Sequence, residues 1–132
     1  MSAGIASALY ESAILPIYCS SKYGVVGLAR SLGKELKKEN IRVNAILPGA
    51  VPSNIGLPVK LQQMGITPTL PDDAITTSVH ICDAVSDLLD DPNAFGVVME
   101  VSGPRRYRRA KHEYPDKQMA YLMGEKEAWA DK

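Results

Sequence analysis

Cysteine is scarce in this chain, and that scarcity excludes two architectures at once. The 132 residues include only Cys19 and Cys82; they stand far apart and form no CxxC pair, so neither a disulfide framework nor a zinc cluster is indicated, and both read as buried, reduced thiols. Histidine is equally rare. His80 reads as a helix residue between Val79 and Ile81, and His112 as part of a polar tail, and no metal is expected. Net charge is missing too: 15 Lys+Arg offset 15 Asp+Glu, which leaves no electrostatic footprint for a polyanion, and no nucleic-acid partner is expected. No run approaches the ~18 apolar residues that a bilayer span needs, and the opening MSAGIASALY lacks the basic region of a secretory signal. No membrane association is expected, and the default compartment is cytoplasmic. What remains is a chain with 45% hydrophobic residues, enough for one globular domain and against disorder throughout.

Residues 1–15 are small and apolar, with Glu11 the first charge, and read as a buried strand end or loop. From Pro16 the run PIYCSSKYGVVGLARSLGKELKKEN sets Tyr18, Lys22, Val25, Leu28, Ala29, Leu32 and Leu36 at steps of three and four. That spacing predicts a helix of about 24 residues, opened by Pro16 and closed by Asn40 in the left-handed conformation. IRVNAILPG then reads as a strand over 41–47, buried on both faces and stopped at Pro48-Gly49. Residues 50–71 carry Ile55, Leu57, Val59, Leu61, Met64, Ile66 and Leu70 against one charge, Lys60; so greasy a loop reads as a lid or binding loop over a substrate, or as a short helix that caps the sheet. Asp72 or Asp73 caps a second helix through Leu89, with the stripe Ile75, Val79, Cys82, Val85, Leu88 and Leu89, ended by Asp91-Pro92. AFGVVMEVSG gives a second buried strand, Gly96 to Val101. Strand and helix alternate, which defines an α/β class with parallel strands. From Pro104 the basic run RRYRRAK and a polar stretch read as a solvated or subunit-contacting tail, helical or irregular.

Tyr18 and Lys22 form the spacing YxxxK. Positions i and i+4 lie about 6 Å apart on one helix face, so their heads can share one site. A phenol holds its proton too tightly for transfer at neutral pH unless a nearby positive charge stabilises the phenolate; with one, tyrosine becomes a usable acid or base. Six tyrosines and nine lysines in 132 positions produce about 0.4 such pairs by chance, so the spacing gains its weight from context. Here it opens a helix that leads into a strand ending in a Pro-Gly turn, the place where parallel sheets hold ligands.

The string PIYCSSKYGVVGLARSLGKELKKENIRVNAILPGAVPS resembles the core signature of the short-chain dehydrogenase/reductases, and Gly96 to Gly103 resembles that family's last strand. Within the family, a fungal branch related to hydroxyprostaglandin dehydrogenases is closest in style. The resemblance implies a partial Rossmann-like, doubly wound parallel sheet over residues 1–103, its C-terminal half only, with 104–132 as the tail. It implies NAD or NADP as cofactor, without distinguishing them, and a small alcohol or ketone as substrate, which the greasy loop 50–71 makes an apolar one. Tyr18 is the implied acid/base, and Lys22 favours its phenolate form and bonds the nicotinamide ribose. Pro48, Gly49, Val51 and Ser53 match the turn beside the cofactor, with Ser53 where threonine is usual; a turn-forming serine is an equal reading there. Asn44 reads as structural, tying neighbouring loops together.

Two departures shape the functional expectation. Counting back from Tyr18 to the position of the family's catalytic serine lands on Ile5, flanked by Ser2 and Ser7. No GxGxxG-like turn is present, and the nearest approach, Gly24 to Gly27, lies inside the tyrosine helix. The expected function is therefore that of a truncated NAD(P)-dependent oxidoreductase, acting as a homo-oligomer or with a missing N-terminal half. The alternative is a noncatalytic remnant that binds or assembles, since family members commonly dimerise through this helix.

Overall fold

The computed structural model describes residues 8–51, 63, 65 and 71–125. Helix α1 spans Pro16–Glu35 and has proline in its first turn, where the missing N–H costs nothing. A 3-10 turn, Leu36–Glu39, extends it to Asn40 at φ 57, whose N–H bonds the Leu36 and Lys37 carbonyls. The sequence-based limits of the helix hold, but its buried face is rotated. Cys19, Val26, Ala29 and Gly33 point inward, while Val25 and Leu28 of the expected stripe are 47% and 59% exposed. Small side chains let the helix backbone come close to the sheet, and a Cβ on Gly33 would collide with the backbone of Gly96. The bulkier residues are left on the outer flank.

Strand β1 is Ala45–Pro48 and pairs in parallel with β2, Val98–Ser102, with Ala45 opposite Val98 and Pro48 opposite Val101. Both start later than the apolar runs suggested. Gly96 sits at φ 69, outside the extended region, so regular pairing begins only beyond it. Asn44 bridges the gap: its Nδ2 donates to Ala94 O and its Oδ1 accepts from Val97 N, both at 2.8 Å. The structural reading of Asn44 holds.

Parallel strands need a crossover, supplied by α2, Ser78–Asp90. Its cap, Thr77, lies five residues beyond Asp72 and four beyond Asp73, the caps that the sequence suggested. The Thr77 hydroxyl accepts from His80 N, and the His80 ring accepts from Thr77 N at 3.2 Å. Asp72–Ala74 form a 3-10 turn, and Ile75 is extended, bridging Ala50. Arg42 closes the other end by donating to the carbonyls of Leu88, Leu89 and Asp91. Ala84 and Leu88 face the sheet, whereas Val79, Val85 and Leu89 are exposed. Cys82 is exposed as well, against the expectation of burial; Cys19 is buried, and both are free thiols.

The tail also departs from the sequence reading. Arg105–Arg108 form a third strand, β3, antiparallel to β2. It turns at Gly103 with φ 56, where any side chain would strike the Asp73 carbonyl. Alternation along β3 sends Arg106 and Arg108 to the α2 side, where Arg106 meets Asp87 at 2.6 Å and Arg108 meets Asp91 at 2.7 Å. The acidic edge of α2 thus neutralises much of the basic run. A last helix, α3, Lys117–Leu122, is capped by Asp116, and Lys34 of α1 donates to Met123 O just beyond it.

The product is an α/β sandwich with sheet order β1-β2-β3. Val26 and Ala29 of α1 pack with Leu47 and Val98 on one face, and Ala84 and Leu88 of α2 with Met99 and Val101 on the other. Burial on both faces explains why the strands read as continuous apolar runs. Among the described residues, no helix is long and apolar enough to cross a membrane.

Candidate active site at the carboxyl ends of the parallel strands

Gly33, near the end of α1, lies against Gly96 and the Val43 carbonyl, at the amino ends of the strands. Tyr18 is fifteen residues back, about 22 Å along a helix. The chain from Val43 to Gly49 covers about 20 Å of extended backbone. The first turn of α1 therefore lies toward the carboxyl end of the sheet, the end at which the Pro48-Gly49 turn stands.

There the Lys22 Nζ lies over the Tyr18 ring, 5.2 Å from its centroid, within the range in which a cation is attracted to an aromatic face. Both side chains are partly exposed. Ser21, between them, donates its hydroxyl to the Tyr18 carbonyl at 2.7 Å.

The turn opposite is held by contacts from three segments. Gly49 N–H donates to Val101 O at 2.7 Å, and Thr76 N–H to Ala50 O at 2.8 Å. Thr76 is fully buried; its hydroxyl donates to Val101 O at 3.3 Å and accepts from Gly103 N at 3.0 Å. A Cβ on Gly49 would come within 3.1 Å of Val101 O and 3.3 Å of the Thr76 hydroxyl. The turn is small because its surroundings leave no room. Thr76 escaped the sequence reading, for nothing in the string ITT marks a residue that clamps two strand ends 25 positions away.

A second feature unread in the sequence anchors the approach to α1. The Tyr10 hydroxyl donates to both Glu100 carboxylate oxygens, at 3.1 and 3.2 Å, and Arg109 reaches the same carboxylate at 3.5 Å. Glu100 is 8% exposed on the middle strand, a buried charge that requires such partners. Desolvation raises the Tyr10 phenol above its ordinary value, and the Glu100 charge and hydrogen bond add to that, while Arg109 opposes it.

Pro48, Gly49 and Val51 lie at the end of β1 and in the turn after it, and Tyr18 and Lys22 in the first turns of α1. Ser53, the lid residues from Ile55 to Leu70, and Ser2, Ile5 and Ser7 lie outside the described residues. His80 is a capping residue, and among the described residues no cluster of three His, Cys, Asp or Glu side chains could hold a metal.

Two parallel strands joined by a helical crossover, with a helix on each face of the sheet, define an α/β domain of partial Rossmann-like architecture. The family model described as short chain dehydrogenase matches residues 4–63. A short-chain dehydrogenase/reductase of Penicillium rubens is 29% identical over 127 residues, 87% of this chain and 45% of that protein. Carbonyl reductase family member 4 of Xenopus tropicalis is 34% identical over 87 residues, and human 3-oxoacyl-[acyl-carrier-protein] reductase 32% over the same length. The chain belongs to the short-chain dehydrogenase/reductase family. It spans 45% of the first of these relatives and 36% of the other two.

Proposed function

We propose that this chain carries the proton-transferring and nicotinamide-side part of an NAD(P)-dependent oxidoreductase that interconverts a hydroxyl and a carbonyl on a small apolar alcohol or ketone. The observation that carries the reading is the Lys22 ammonium over the Tyr18 ring, on the helix that leads into the strand ending at Pro48-Gly49. Tyr18 gives its phenolic proton to the carbonyl oxygen in reduction and takes it back in oxidation. Lys22 stabilises the phenolate that forms and is placed to bond the nicotinamide ribose. The cofactor, when bound, supplies or accepts the hydride. Pro48, Gly49 and Val51 would lie beside its nicotinamide end, and Ser53 follows them in the sequence as a donor to the carboxamide. No residues here fit the pyrophosphate, because the sequence holds no GxGxxG-like turn. Full activity therefore belongs to a longer polypeptide or assembly, in keeping with the fraction of its relatives that the chain spans. A Penicillium relative supports a fungal placement of the branch. The greasy segment 55–70 supports an apolar substrate.

The test is a chimera joining this chain behind the amino-terminal part of the Xenopus carbonyl reductase relative, with kcat measured on small ketones. Tyr18→Phe is expected to cost ~10²-fold or more with cofactor binding nearly intact, as for general acid–base groups. Retention of more than about a tenth of the rate would remove Tyr18 from the role.

A further inference from the structure

On the opposite flank of α1 from Tyr18 lies a cavity of about 510 Å³ between the helix and the segment that follows β3. Five residues at 100° each set Tyr23 about 140° around the helix from Tyr18, and Arg30 follows seven positions later on the same line. The buried row through Val26 separates the two flanks. The cavity is closed by Leu9, Arg108, Arg109 and His112. Because it borders β3, it stands on the side of the sheet away from β1.

Its lining is basic, and the charges are unevenly compensated. Arg108 is engaged by Asp91 at 2.7 Å, and Arg109 by the nearly buried Glu100 at 3.5 Å. Arg30 donates one Nη2 N–H to the Ala110 carbonyl at 2.9 Å. That partner is neutral, and no carboxylate among the described residues lies within ion-pair distance of Arg30. The carbonyl fixes the guanidinium in place while leaving donors of its planar fork unused, the arrangement that receives a carboxylate or phosphate through two parallel bonds. Tyr23 and His112, which also line the cavity, are residue types that can donate a hydrogen bond, and Leu9 adds an apolar residue to the lining. The volume falls in the range of small-molecule sites.

We propose that this cavity binds a small organic oxyanion, a carboxylate or phosphate monoester with a short aromatic or aliphatic body, its charged group on Arg30. The site needs neither Tyr18 nor Lys22, so its failure and that of the oxidoreductase reading are separate results.

The experiment is titration of the full chain at low ionic strength with benzoate, phenyl phosphate, inorganic phosphate and the uncharged benzamide, followed by calorimetry and amide-proton NMR. Saturable binding of benzoate or phenyl phosphate at about 1 mM or tighter is expected, with shifts at Tyr23, Arg30 and His112. Arg30→Gln should weaken it tenfold or more, and Arg30→Lys by less. A distant control, Lys38→Gln, should leave it unchanged. Tighter binding of phenyl phosphate than benzoate would name phosphate as the preferred anion, and the reverse order carboxylate. Inorganic phosphate matching both would confine recognition to the charge. Benzamide matching benzoate, wild-type affinity in Arg30→Gln, or no saturable binding would each overturn the proposal. Should Arg30→Gln unfold, Arg30→Lys and His112→Ala decide: wild-type affinity in both removes the site.

Discussion

Two glycines on one helix make opposite demands on a methyl group. Gly33 faces the Gly96 backbone, where neither neighbour has a flexible side chain to move aside, whereas Gly27 has nothing within 4 Å of an added Cβ. Alanine favours helix by up to ~1 kcal/mol over glycine, so Gly27→Ala should raise stability by about that amount. Gly33→Ala should lower it by roughly 1–3 kcal/mol despite the same propensity gain, because overpacking against backbone outweighs it. Urea unfolding of the two variants checks the contrast. Tyr10 adds a prediction in pH. Its native pKa is raised above 10.0 by desolvation and by Glu100, so its contribution to stability is complete below that value and lost as pH climbs through the higher native one. Tyr10→Phe should flatten the alkaline limb of a stability–pH curve, and an unchanged limb would contradict the assignment. The Tyr18–Lys22 pairing was legible in the sequence because both residues lie one turn apart on a single helix, and Asn44 because it stands at the edge of an apolar run. Tyr10, Glu100 and Arg109 were not, since 90 positions separate the first pair and only the folded sheet brings them together.

At the scale of elements, periodicity found α1, β1, α2 and β2 but not which way each helix turns. The steps of three and four are satisfied by several overlapping stripes. Close approach through Ala29 and Gly33 chose the small-residue one, a choice made by the partner surface rather than by the helix. The start of α2 was misread for a different reason: Asp72, Asp73 and Thr77 are all good caps, and the bridge of Ile75 to Ala50 keeps the chain extended past the first two. Thr77→Ala should therefore cost about 1 kcal/mol, while Asp72→Ala changes stability little, as thermal melts of the two would show. β3 was hidden because four exposed residues with three arginines look like a tail. Its attachment to α2 runs through carboxylates. The Arg108 hydrogen bond, followed by the bond from Asn93, holds Asp91 below its ordinary value of 3.8. That stabilisation is present above 3.8 and lost as pH falls through the depressed native value. Amide exchange of β3 should accelerate in acid before that of β2. Asp91→Asn should produce the faster exchange already at neutral pH, and equal protection in both forms would detach Asp91 from the strand.

The whole molecule has surfaces that an isolated monomer covers poorly. Ile17, Val25 and Leu28 are 82%, 47% and 59% exposed and fall within an arc of roughly 80° on α1, on the side of Tyr18 away from Val26. Among the described residues β1 has a neighbour on one edge only. Apolar side chains grouped this way on one helix mark a contact surface more than chance exposure does, and an unpaired strand edge adds a second tendency to associate. The two predict different behaviour. Association through the α1 face should be saturable and yield a defined species, because a helix face is self-complementary only in one arrangement about a two-fold axis. Association through the β1 edge grows without limit. Sedimentation velocity over a concentration series is expected to show a discrete dimer that Leu28→Asp returns to monomer, with the fold unchanged because residue 28 points to solvent. Open-ended aggregation insensitive to Leu28→Asp would assign the contact to the sheet edge instead, and a monomer at every concentration would mean that neither surface drives self-association.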